Sequence, residues 1–160
     1  MTTETMPAEG QQAPAFELPS TEGRPINLRQ FAGQRNVVLY FYPKDDTPGC
    51  TKEACSFRDL SAEFAAHDAV ILGVSADSVA SHHAFRSKFG LPFPLLADEG
   101  GHVARQYGSW REGTDGKPGG VVRNTFVIDK AGVVRRVYEK VNAAEHAPEV
   151  LRFIDSTLGS

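Results

Sequence analysis

The run Val37-Val38-Leu39-Tyr40-Phe41-Tyr42 most constrains what this chain can become. It is β-branched and aromatic and carries no charge, so it reads as a strand buried on both faces in the middle of a sheet. The chain then turns through Pro43-Lys44-Asp45-Asp46-Thr47-Pro48-Gly49-Cys50. Thr47-Pro48 is a helix-start signal: a cap-type residue, then a proline where the first helical N–H is not needed. Ala54, Phe57, Leu60 and Phe64 follow at helical spacing and predict a helix from Pro48 or Gly49 to Ala66. A buried strand that feeds straight into a helix needs helices packed on its sheet.

The remaining segments fit that plan. Phe16-Glu17-Leu18 and Ile26-Asn27-Leu28 flank a turn-rich stretch and predict an N-terminal β-hairpin, with a helical turn from Leu28 to Phe31. Val70 to Ser75 reads as a second buried strand. Asp77 or Ser78 can cap a helix running to Phe89, with Gly90 as its stop. Leu95-Leu96 is a short apolar piece, and Val103 to Tyr107 a short helix. Gly108 to Gly120, glycine-rich and carrying Trp110, reads as a surface loop. Thr125 to Ile128 and Val133 to Tyr138 flank Asp129-Lys130-Ala131-Gly132 as strand, turn and strand. Ala147 to Leu158 reads as an amphipathic closing helix with Val150, Leu151, Ile154 and Leu158 on one side. Helices alternate with buried strands before two strands pair antiparallel. That order predicts an α/β chain with a central mixed sheet flanked by helices, as in a thioredoxin-like fold.

At 160 residues, one domain over residues 13–160 is expected, preceded by a polar, disordered tail over residues 1–12. The formal net charge of −3, with no basic stripe, argues against nucleic acid as a partner. No apolar run approaches a membrane span, and the first residues lack the basic and apolar regions of a secretory signal. A cytoplasmic protein is expected, in which two cysteines serve redox chemistry sooner than structural stapling.

Both cysteines, Cys50 and Cys55, fall at the strand-to-helix junction. Cys50 lies in the first helical turn, where unpaired N–H groups and the positive end of the helix dipole favour an anion. The thiolate is the nucleophilic form of a cysteine. Lys44 and Lys52 add positive charge nearby, whereas Asp45, Asp46 and Glu53 subtract it. Cys55 is five residues on, a rise of roughly 7.5 Å and a rotation of about 140° in an ideal helix. A disulfide needs Cα atoms within roughly 7 Å and converging Cβ vectors. Either Cys55 fills the core, or the first helical turns unwind so that it reaches Cys50. A zinc site is disfavoured, because His67, His82, His83, His102 and His146 are not at ligand spacing from the cysteines. His82 and His83 read as a solvated helix face, the charges of Lys44-Asp45-Asp46 as solvated, and Asp77 as a cap. Glu53 either holds an arginine or lies exposed, and Trp110 either covers the active site or anchors its own loop.

The pattern Pro43-x-x-x-Thr47-x-x-Cys50 resembles the active site of the peroxiredoxins. The longer run from Phe41 to Cys55 is similar to the bacterioferritin comigratory protein/peroxiredoxin Q subfamily. Gly73 to Asp77, Leu95 to Asp98, Tyr107 to Trp110 and Arg123 to Asp129 resemble the same subfamily in the right order, and the likeness covers Ala13 to the C-terminus.

The resemblance implies a thioredoxin fold and a thiol peroxidase active in antioxidant defence, with no metal, flavin or other cofactor. It implies that Cys50 attacks a hydroperoxide and becomes a sulfenic acid, and that Cys55 resolves it as an intramolecular disulfide. Thioredoxin or a similar dithiol would then reduce the disulfide. Thr47 would accept from the thiol or substrate and donate to a peroxide oxygen. Arg123, which nothing local marks, would stabilise the Cys50 thiolate and donate to the peroxide. Pro43 would shape the pocket and keep water off the thiolate. A disulfide within one chain removes the catalytic need for a dimer, so a monomer is expected. A redox sensor that relays its disulfide is an alternative use of the same switch. A thioredoxin-like dithiol carrier is a further one, disfavoured by the Cys-x4-Cys spacing.

Overall fold

The computed structural model describes residues 6–158. The elements run β1 (Glu17–Leu18), β2 (Ile26–Asn27), a 3-10 turn (Leu28–Phe31), β3 (Asn36–Phe41), α1 (Pro48–Asp59) and α2 (Ser61–Ala66). They continue with β4 (Ala69–Ser75), α3 (Val79–Phe89), β5 (Leu95–Ala97), α4 (His102–Gln106), β6 (Trp110–Arg111) and β7 (Gly120–Val121). The chain closes with β8 (Thr125–Ile128), β9 (Val134–Tyr138), α5 (His146–Phe153) and a π-helical turn over Ile154–Leu158.

Five strands form the central sheet in the order β5-β4-β3-β8-β9, with β3 in the middle. The pairs β3–β4 and β4–β5 are parallel, whereas β3–β8 and β8–β9 are antiparallel. This is the mixed, thioredoxin-like sheet that the element order predicts. Every residue of β3 is buried, and its alternation feeds two separate cores. Val37, Leu39 and Phe41 join the cluster that includes Phe16, Leu28, Tyr107 and Phe126. Val38, Tyr40 and Tyr42 join the opposite cluster, which includes Cys50, Phe57, Phe64, Phe85 and Val150. The helices α1, α3 and α5 therefore bury their apolar stripes on the Tyr40 side.

The predicted caps are present at α3. The Ser78 hydroxyl accepts from the Ser81 N–H at 3.1 Å, and Gly90 ends the helix in the left-handed conformation at φ 62°. Other expectations change. The helix expected to reach Ala66 stops at Asp59, because Leu60 takes φ −107° and ψ 6° before α2 begins. The break falls ahead of Ser61, a weaker helix former. The stretch 108–120 is a β6–β7 hairpin, with a further bridge between Thr114 and Lys117. Its glycines permit close backbone crossing: a Cβ on Gly119 would lie 2.6 Å from the Arg111 carbonyl oxygen. Of the tail expected over 1–12, residues 1–5 lie outside the described residues. Residues 10–12 lie along the start of β9. The Gly10 N–H donates to the Val134 carbonyl, the Val134 N–H donates to the Gln11 carbonyl, and Gln12 bridges to Val133. Backbone groups at that strand end would otherwise be left unpaired.

Gly73 sits in β4 between two buried side chains. A Cβ there would come within 3.0 Å of Leu95 Cδ2 and of Tyr40 Cζ and hydroxyl. Tyr40 is itself wedged against Phe57, ring centroids 4.8 Å apart. Gly73→Ala is expected to destabilise the protein by about 1–3 kcal/mol through overpacking. Urea unfolding checks this, with the midpoint lowered at unchanged m-value.

Candidate active site

The site forms where β3 ends and α1 begins. Thr47 caps α1 through its backbone alone, and Pro48 occupies the first turn. The first helical bond runs from the Thr51 N–H to the Thr47 carbonyl at 2.8 Å. The Gly49 and Cys50 N–H groups precede that ladder and lie at the positive end of the helix. Cys50 is 1% exposed. Glu53, one turn on, is on the same helical face and is 0% exposed.

Sheet topology supplies the third group. β8 runs antiparallel to β3, with Thr125 opposite Tyr40, and the Phe41 N–H donates to the Asn124 carbonyl at 2.8 Å. Arg123 therefore arrives beside the end of β3. Its Nη2 donates to Cys50 Sγ at 3.2 Å and its Nη1 to Glu53 Oε1 at 2.7 Å. The guanidinium passes over Gly49, where a Cβ would stand 3.2 Å from Nη2. Its own carbonyl accepts from the Val141 N–H at 3.0 Å, which fixes the backbone behind it.

The charges of the site are coupled. Burial pushes the Glu53 carboxyl up to about 7 from its ordinary value of 4.5, against the pull of Arg123. One carboxylate oxygen, Oε2, is buried with no hydrogen-bond partner among the described residues, which is why a single ion pair does not offset the desolvation. Burial opposes the Arg123 charge as well. Glu53 and Cys50 more than compensate, and the guanidinium is held above its ordinary value. Burial raises the Tyr40 hydroxyl far above its ordinary value, and the Glu53 and Cys50 charges raise it further.

The sequence-marked residues divide accordingly. Cys50 and Arg123 are brought together, and Glu53 holds the arginine. Thr47 is half-buried at the helix start, and its hydroxyl donates to the Lys44 carbonyl at 2.9 Å. Pro43 is exposed just after β3. Cys55 is half-buried and, like Cys50, a free thiol. Both lie in the unbroken α1, so the helical rotation separates them. Trp110 packs with the core on the other face of the sheet, its ring 4.3 Å from the Arg105 guanidinium carbon, and so anchors its own hairpin. Three sequence readings are corrected. His82 is fully buried, not on a solvated face, and Asp45 is buried between exposed Lys44 and Asp46. His82 shares a helical stripe with Phe85 and Phe89, and that spacing was the signal for its burial. Asp77 is not the cap of α3, a role taken by Ser78; its Oδ2 accepts from the Asp45 N–H at 2.8 Å.

A buried thiol at a helix start, held by a guanidinium from the adjacent strand of a thioredoxin-like sheet, belongs to the thiol-dependent class. The AhpC/TSA family pattern matches residues 9–137, and the chain belongs to that family. Within it the chain is a peroxiredoxin of the bacterioferritin comigratory protein/peroxiredoxin Q type. It is 46% identical over 144 residues to a putative peroxiredoxin bcp of Coxiella burnetii, covering 89% of this chain and 95% of that one. The peroxidoxin BcpB structure from Mycobacterium tuberculosis superposes with a TM-score of 0.87 at 40% identity, over 96% of this chain and 99% of that one. The bacterioferritin comigratory protein of Xanthomonas campestris, described with its alkyl peroxide reduction activity, matches at TM-score 0.82 and 37% identity, over 88% of this chain and 90% of that one.

The raised Glu53 carboxyl has a measurable consequence. Folded protein holds the Glu53 proton more tightly than unfolded chain does, so stability falls as pH rises from 4.5 to about 7 through this group. Glu53→Gln removes that contribution. The stability of the variant relative to wild type is expected to climb across the same window, by at most about 1.4 kcal/mol per pH unit, and then level off. Urea titrations at several pH values check the slope.

Proposed function

We propose that this peroxiredoxin reduces hydroperoxides through Cys50, resolves the oxidised sulfur with Cys55, and is recycled by a thioredoxin-type dithiol while acting as a monomer. The reading is carried by the 3.2 Å contact between Arg123 Nη2 and Cys50 Sγ at the start of α1. A guanidinium and free helix N–H groups there stand where negative charge develops during attack.

In the first step the Cys50 thiolate attacks the terminal peroxide oxygen. The S–O bond forms and the O–O bond breaks. The departing alkoxide or hydroxide takes a proton to leave as alcohol or water, and Cys50 becomes a sulfenic acid. The Thr47 proton is engaged by the Lys44 carbonyl, which leaves its lone pairs to accept from the peroxide O–H. Glu53 orients Arg123 so that one N–H faces the sulfur. Pro43 carries the chain out of the sheet toward the site without an N–H to hydrate.

In the second step the Cys55 thiolate attacks the Cys50 sulfur. The S–S bond forms, and the sulfenic oxygen leaves as water after protonation. Both cysteines belong to α1 in the described conformation, so this step undoes the first helical turns. A dithiol partner then takes the disulfide by exchange and is itself oxidised. Because the disulfide closes within one chain, no second subunit supplies chemistry.

Cys50→Ser is expected to abolish peroxide consumption. Cys55→Ser is expected to allow one oxidation per chain and then stall with thioredoxin as reductant. Mass analysis after one equivalent of peroxide should show wild-type protein lighter by two hydrogens with both thiols lost. Peroxide turnover by Cys50→Ser at the wild-type rate would sink the reading.

A further inference from the structure

A second buried polar assembly joins the loop ahead of α1 to α3 and β5. The Asp45 Oδ1 accepts from the Tyr42 hydroxyl at 2.6 Å. Its Oδ2 takes the Ser81 hydroxyl at 2.8 Å and faces His82 Nδ1 at 2.7 Å. The Asp45 N–H donates to Asp77 Oδ2, which also accepts the Ser75 hydroxyl at 2.7 Å. His82 Nε2 lies 2.9 Å from the Leu96 carbonyl oxygen. Both ring nitrogens of His82 thus lie at hydrogen-bond distance from an oxygen acceptor. Burial alone would push the Asp45 carboxyl up, but hydrogen bonds from His82, Tyr42 and Ser81 hold it below its ordinary value. Ligand-type atoms of Asp45, Asp77 and His82 lie within 4.8 Å of one another. Those atoms are already engaged in the bonds just named, so the cluster reads as a hydrogen-bonded anchor.

The anchor stops abruptly. From Asp46 onward the chain is held by an exposed Lys88–Asp46 pair at 2.8 Å, by the Thr47 hydroxyl on Lys44, and by Arg123 on Cys50. Exposed ion pairs hold weakly. Asp46 itself takes φ 57°, left-handed backbone that aspartate tolerates better than most side chains but still at a cost. A firmly held residue is thus followed at once by a strained, weakly held one, four positions before Cys50.

We propose that Asp45 and His82 are positioning residues for the peroxidase reaction. Their buried pair is the fixed upstream boundary of the segment that unwinds for Cys55, and it keeps Cys50 at Arg123 until peroxide arrives. This rests on the resolving role of Cys55 given above. Breaking the pair lets unwinding spread back through Asp45. Fewer molecules then hold Cys50 at Arg123, and more allow Cys55 to reach it.

Asp45→Asn and His82→Gln test this, each compared with wild type by rapid-mixing kinetics, thermal unfolding and amide hydrogen exchange. In both variants the second-order rate of Cys50 oxidation is expected to fall about tenfold, with disulfide closure unslowed or faster. Amides of residues 46–55 are expected to exchange faster, while those of β3 keep their protection. Parallel loss of both chemical steps with a lowered Tm assigns the pair a structural role only and overturns the proposal. Wild-type rates and wild-type exchange in both variants overturn it too. If wild-type protein consumes no peroxide, the peroxidase reading falls instead. The exchange data then decide the anchor by themselves: unchanged protection over 46–55 refutes it, and faster exchange confined there supports it.

Discussion

The site depends on one guanidinium shared by two acids of a single helix. Arg123 touches Cys50 Sγ at 3.2 Å and Glu53 Oε1 at 2.7 Å, and sheet register makes that sharing available. β8 lies antiparallel beside β3, so Arg123, two residues before β8, sits where β3 hands over to α1. A one-residue slip between these strands would turn the side chains of β8 to the opposite face of the sheet. The apolar cores on both faces oppose such a slip, because Val127 and Phe126 of β8 belong to different clusters. Chemistry and packing are thus tied to the same ladder.

In the proposed cycle, helix formation and disulfide formation compete for the same residues. A formed α1 places the thiol at a helix N-terminus and Glu53 beneath the guanidinium, and it also keeps Cys55 turned away. Phe57 stacks on Tyr40 at a centroid distance of 4.8 Å and meets His146 edge-on at 5.9 Å. The later part of α1 is therefore pinned to the sheet and to α5. What can yield lies upstream, between Asp46 and Cys55, where the left-handed Asp46 and polar contacts to Arg123 replace stacked aromatics.

Much of this was legible in the sequence because it is local. The uncharged run of β3, the Thr47-Pro48 start, the Ser78 cap and the Gly90 stop each act through neighbouring residues, and each is found in place. Cys50 was marked by its position in the first turn. Arg123 was not marked by anything local, since its role arises from a strand pairing with residues some eighty positions away, and only the family resemblance pointed to it. Asp45 and His82 were misread because isolated polar residues look solvated until the partners that satisfy them are known. Those partners come from Tyr42 just past β3, Ser81 on α3 and Leu96 on β5. The hairpin at 108–120 was hidden by its glycines, which suit a loose loop and a tight backbone crossing equally well.

A carboxylate that shares its guanidinium with the proposed nucleophile competes with it for positive charge. With Cys50 and Glu53 both ionised, two negative charges face one guanidinium in a buried site. Burial relieves that conflict by pushing the Glu53 carboxyl up to about 7, so that near neutral pH the site spends part of its time with Glu53 neutral. A protonated Glu53 still presents an oxygen to Arg123 Nη1, and so the orientation of the guanidinium survives the loss of charge. The acid therefore fixes direction in both states and competes for charge in one. Tyr40, buried close by and held un-ionised far above its ordinary range, adds no further anion. Protonation of Glu53 therefore removes a competitor for the guanidinium without removing the contact that aims it at the Cys50 sulfur.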